Sequence, residues 1–182
     1  LSQILLLCNS KLAFHITKTI NPTLSFGVNN FRTIPAAVLP AMEADRIAGR
    51  LIEISKEDWD SYETSWDFQI SPLLAIQGAS QISEIYRLVR ADWAERTETV
   101  RELEETANQR LIALYSLEGE LTPSVPLTEV TLTCNPPYRY GNSKHQEELE
   151  ELLRCDTLKE LVSYAIGCMM GRYSLDKPGL II

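Results

Sequence analysis

The stretch QISEIYRLVRADWAERTETVRELEETANQRLIALYSL, Gln81 to Leu117, sets Ile82, Tyr86, Val89, Trp93, Val100, Leu103, Ala107, Leu111 and Leu114 at intervals of three, four and seven. Side chains so spaced share one side of an α-helix, which predicts a single apolar stripe along the whole stretch. At the rise of an α-helix it would be about 50 Å long, more than one compact partner covers, so it reads as a spacer or coiled arm. Gly119 and Pro123 end it, and Leu121 to Leu127 has the proline content of a loop.

Helical periodicity recurs on both sides. Upstream, Ile4, Leu5, Leu7, Cys8, Leu12, Ala13 and Ile16 predict a helix that Asn21-Pro22 terminates, because proline lacks an amide donor and pushes its predecessor out of helical geometry. Leu24, Phe26 and Val28 alternate as in a short strand, and Phe31 to Pro35 continues as strand or turn. Ile47, Leu51 and Ile54 predict a helix from Met42 to Ile54, and Ser55 with Asp58 has the form of a capping box for a next one. Downstream, Val130 and Leu132 alternate with threonines as a short strand. A last helix is predicted from Gln146 to Met170, with Leu149, Leu152, Leu153, Leu158, Leu161, Val162, Ala165 and Ile166 as its buried face and a possible break at Asp156 or Thr157. Gly167 and Gly171, four apart, would let another backbone approach. The expected fold class is mainly α with a minor β component. Both ends are apolar and read as cut from something longer.

Composition narrows the function classes. The chain has 182 residues, 45% hydrophobic and 23% charged, which is globular material. Ile4 to Cys8 is far too short to cross a bilayer and follows no basic leader, so a cytoplasmic location without membrane attachment is expected. Cys8, Cys134, Cys155 and Cys168 form no metal-ligand spacing, and free thiols are expected. The net charge of -8 argues against broad contact with nucleic acid. The aromatics Trp59, Tyr62, Trp66 and Phe68 sit among acidic residues, which favours packing of a loop onto a core over stacking on bases.

The chemistry-bearing motif is Asn135-Pro136-Pro137-Tyr138. It spells the catalytic loop of enzymes that methylate exocyclic amines, where the Asn side chain and first Pro carbonyl accept hydrogen bonds from the amine and the Tyr stacks on a flipped base. The methyl donor needs a strand ending in a glycine-rich turn, and the upstream glycines Gly27, Gly49, Gly78 and Gly119 stand singly. No catalytic residue is therefore expected in this chain, the tetrapeptide being the alternative. DNA contact, if made, is expected from Lys11, Lys18, Asn29, Asn30 and Arg32, since Asn reads adenine and Arg grips guanine or phosphate; Asn29-Asn30 also fits a plain turn. His15 and His145 read as surface residues.

Four segments carry a resemblance: LCNSKLAFHITKTINPTLSFGVNNFRTIP (Leu7 to Pro35), EDWDSYETSWDF (Glu57 to Phe68), LEGELTPSVPLTEVTLTCNPPYRYG (Leu117 to Gly141) and LVSYAIGCMMGRYSLDKPGLI (Leu161 to Ile181). Together they resemble the adenine-specific DNA methyltransferases of BREX phage-defence systems, the PglX family, related to type IIG restriction-modification enzymes. The resemblance implies a parent enzyme that moves a methyl group from S-adenosylmethionine to adenine in DNA, with other phage-defence subunits as further partners. It also implies a place C-terminal to the methyltransferase domain. Residues 1–40 would then close a target-recognition region, and 41–182 would form a helical scaffold with a short strand and loop near 128–142. The family's donor loop and its own Asn-Pro-Pro-Tyr loop have no matching residues here, so no cofactor is expected in this fragment.

Overall fold

The computed structural model describes residues 1–21, 23, 27–35, 39–76 and 78–181, apart from the Phe31 side chain. Among them the chain forms α1 (Ser2–Cys8), α2 (Lys11–Ile20), α3 (Val28–Arg32), α4 (Ala41–Asp60), α5 (Pro72–Ala75), α6 (Ile82–Leu114), a 3-10 turn (Leu127–Glu129), α7 (Pro136–Tyr140) and α8 (Gln146–Met169). The fold is mainly α, as the periodicity predicts.

The minor β component is not present among the described residues. Leu24 and Phe26, half of one expected strand, lie outside them, while Val28 to Arg32 is the short helix α3. The expected strand at Val130 to Thr133 is replaced by the 3-10 turn and an unpaired stretch. The reason lies in tertiary contacts. Buried side chains take up this segment's backbone polar groups, as described below, and leave it no need of a ladder.

The first helix is two. Ser10 accepts a hydrogen bond on its Oγ from Ala13 N at 3.1 Å and so caps α2 anew. The expected cap at Ser55 is not used, since α4 runs through it to Asp60. Nor does α8 break: Thr157 donates its hydroxyl to Leu153 O at 2.7 Å within the helix instead of capping a new one.

Backbone contacts divide the chain into two units, Leu1–Glu53 with Val100–Val125 and Ile54–Thr99 with Pro126–Ile182. The spacer or arm expected of Gln81 to Leu117 is corrected accordingly: α6 supplies core residues to each unit. The first unit buries Leu6, Leu12, Leu39, Ile47, Ala107 and Leu111 together. The second gathers Phe68, Tyr164 and Tyr173, with Tyr164 and Tyr173 stacked at 5.1 Å and Phe68 edge-on to both. Gly171, at φ 77, ends α8 in the left-handed region and returns the chain so that Arg172 N reaches Gly167 O at 2.8 Å. Tyr173 then lies over Gly167, where an added Cβ would meet its ring at 2.6 Å. The close approach expected at this glycine is real, but an aromatic ring makes it.

Candidate functional site

Everything around the tetrapeptide hangs on one carboxylate. Asp58, in the last turn of α4 and 6% exposed, accepts hydrogen bonds from Thr133 N at 2.6 Å and Cys134 N at 3.0 Å. Next along the chain, Asn135 donates both hydrogens of Nδ2, to Leu127 O at 2.7 Å and Val130 O at 2.8 Å, and is 1% exposed. Pro136 opens α7, where its missing amide costs nothing, and Gly141 at φ 80 closes it. Asn135 therefore faces inward with its amide hydrogens engaged, and Tyr138 is exposed. Asn135→Ala is expected to remove two buried hydrogen bonds and lower stability by about 2 kcal/mol, read as a fall in the denaturant midpoint.

Arg139 follows. Its Nη2 donates to Glu160 Oε1 at 2.9 Å, and its guanidinium lies 5.6 Å from the Tyr62 ring centre and 5.5 Å from that of Tyr140. Tyr140 donates its hydroxyl to Asp156 Oδ2 at 2.9 Å. Arg139, Glu160 and Tyr62 border a cleft of about 300 Å³ whose walls also include Phe68, Trp93 and Tyr164. Burial pushes the Glu160 carboxyl up against the opposing pull of Arg139. Burial also pushes the Cys134 thiol far up and keeps it neutral, the wrong form for a nucleophile. Among the described residues no group of His, Cys, Asp and Glu is arranged to hold a metal, and no helix is long and apolar enough to cross a membrane.

A second charged junction joins α6 to α8. Arg90 grips Glu150 in bidentate fashion, Nε to Oε2 and Nη2 to Oε1, both at 2.7 Å, and holds its carboxyl below the usual range. A carboxylate depressed in the folded state stabilises above its unfolded pKa, and that contribution is lost as pH falls through the folded pKa. Glu150→Gln is therefore expected to cost stability near neutral pH and to flatten the acid limb of the stability profile below the ordinary carboxylate pKa, measured by urea unfolding.

The five residues expected to touch DNA lie in the first unit. Lys11 and Lys18, seven apart, share a face of α2, and Asn29, Asn30 and Arg32 lie on α3, which packs beside it. Lys11 N donates to Asn108 Oδ1 at 3.0 Å, and the Lys18 ammonium is 5.1 Å from the Phe14 ring centre. His15 is half-buried on α2, and exposed His145 precedes α8.

No family model matches the chain. Over 179 residues it is 34% identical to the adenine-specific methyltransferase BrxX of Escherichia coli O9:H4 (strain HS), which is 98% of this chain and 14% of that protein. The chain resembles an adenine-specific methyltransferase from end to end. The adenine-specific methyltransferase PglX of Lacticaseibacillus casei (strain Zhang) is 28% identical over 176 residues, 94% of this chain and 13% of that protein. The chain thus spans about a seventh of either relative's length. From sequence Asp58 reads only as half of a capping box with Ser55, and the Arg139 junction is not singled out. Asp58 is hidden in an acidic run, and only its position immediately before the aromatic cluster hints at burial.

Proposed function

We propose that this chain is a recognition or scaffold region of an adenine-specific DNA methyltransferase of BREX-type phage defence. The parent enzyme would transfer a methyl group from S-adenosylmethionine to the exocyclic amine of adenine, in the cytoplasm and beside other defence subunits. The observation that carries this reading is the 34% identity along 98% of the chain to a methyltransferase of which it spans only 14%.

In this reading the chemistry lies outside this chain. Gly27, Gly49, Gly78 and Gly119 stand singly, without the Gly-x-Gly arrangement after an apolar strand that a donor loop requires. Asn135 has both amide hydrogens on backbone carbonyls, which supports a structural role for the tetrapeptide. Residues 1–40 close a target-recognition region in this reading, and Lys11, Lys18, Asn29, Asn30 and Arg32 supply what DNA contact the chain makes. Residues 41–182 are its scaffold.

Calorimetry with S-adenosylmethionine tests the placement. The 182-residue chain is expected not to bind, and the full-length parent to bind; binding by the short chain would return the tetrapeptide to a catalytic role. A second reading, a helical adaptor without DNA contact, is favoured by the exposed Val162, Ile166 and Met169 on α8. Salt-dependent DNA binding separates the two, since counterion release makes affinity fall steeply with salt only if phosphates are contacted.

A further inference from the structure

Helix α8 is apolar on two sides. One side is used: Leu149, Leu153 and Tyr164 are buried in the second unit. Sequence reading places Leu158, Val162 and Ile166 on that same side, but they are 36%, 58% and 50% exposed, and Met169 is 87% exposed. With the exposed Cys155 they form a row, 155, 158, 162, 166 and 169, at steps of three or four. Fourteen residues in four steps give a mean of three and a half, the period of a seam between two helices. Single exposed apolar side chains are ordinary on any surface; a row in register along one helix is not.

The row borders a groove. Val162, Ile166 and Met170 line it beside Gly167, and Lys159 and Arg172 stand at its rim with side chains 76% and 57% exposed. Both are already paired within the chain, Lys159 with Asp156 at 3.0 Å and Arg172 with Glu63 at 3.7 Å, so the apolar row and not charge selects the partner. The period favours a helix over a strand, and the methionines adapt to its side chains. Both relatives carry more than four-fifths of their length outside the region matched here, which is where such a helix would come from.

We propose that α8 docks an amphipathic helix from the remainder of the parent methyltransferase, its apolar residues seated along Leu158, Val162 and Ile166. The proposal rests on the reading above of this chain as part of a larger enzyme. Cys155, at one end of the row, is the reporter.

The experiment compares alkylation of Cys155 by iodoacetamide, followed by peptide mass spectrometry, in the 182-residue chain and in the full-length parent, each also as Val162→Glu. The same full-length sample is assayed for adenine methylation of DNA. The isolated chain is expected to react promptly at every protein concentration. In the parent, Cys155 is expected to react at least about tenfold more slowly, and Val162→Glu to restore the fast rate. An active methyltransferase whose Cys155 reacts as fast as in the isolated chain would overturn the docking and leave the functional reading standing. Protection that Val162→Glu does not relieve would overturn it too. Protection without methylation would support the docked helix and sink the enzyme around it. Concentration-dependent protection in the isolated chain would replace the helix by a second copy of this chain.

Discussion

Asp58→Ala is expected to cost the second unit about 3–5 kcal/mol, a large share of a typical domain's 5–15 kcal/mol. The carboxylate is 6% exposed and holds the amides of Thr133 and Cys134. Removing it leaves two donors without an acceptor in a region that water reaches poorly, and each such orphan costs about 1–3 kcal/mol. Asp58→Asn separates charge from shape, because it keeps the volume and one acceptor while turning an NH2 group toward a backbone amide. Its loss should approach that of the alanine variant. The readout is convenient, since Trp59, Trp66 and Trp93 all belong to the second unit and fluorescence-monitored urea unfolding reports on that unit. A midpoint unchanged by Asp58→Ala would mean that the 130–135 segment is held by other means.

Phe68→Ala is expected to cost about 3–5 kcal/mol through a different cause. Its ring, 5% exposed, stands edge-on to Tyr164 at 5.8 Å and to Tyr173 at 5.5 Å. Truncation leaves a cavity among rings too rigid to collapse into it, and removes two edge contacts worth about 0.5–1.5 kcal/mol each. Phe68→Leu fills most of the space and should lose about 1–2 kcal/mol. Trp66→Ala is the contrast: two residues away and 96% exposed, it should be near neutral. Equal losses at 66 and 68 would deny that the ring cluster is the centre of this unit.

These two positions show what was legible in the chain and what was not. The helices α4, α6 and α8 were readable because local periodicity produces them, and so was the mainly α class. The expected strand at Val130 to Thr133 failed for a non-local reason: the Thr133 amide is satisfied by a residue seventy-five positions earlier, which no window of sequence contains. The buried face of α8 was read too broadly because the helix is apolar on two sides, and periodicity cannot tell which side its own unit covers. The aromatic cluster was legible as packing but not in detail, since Phe68 is buried while Trp66 of the same run is not. The tetrapeptide was conspicuous by spelling. Its amide hydrogens, bonded to two carbonyls, are visible only in three dimensions.

The interleaving of the two units bears on how the chain emerges from the ribosome. The first unit needs residues up to Val125 before its core can close, and the second needs residues close to the C-terminus although it begins at Ile54. Synthesis at about 5–20 residues per second therefore holds Asp58, Trp59 and Phe68 without their partners for several seconds, while Leu6, Leu12 and Ile47 can already meet Leu111. During that interval the aromatic run is an exposed, sticky segment in a nascent chain. Its acidic neighbours Glu57, Asp60, Glu63 and Asp67 then act as gatekeepers that discourage premature association.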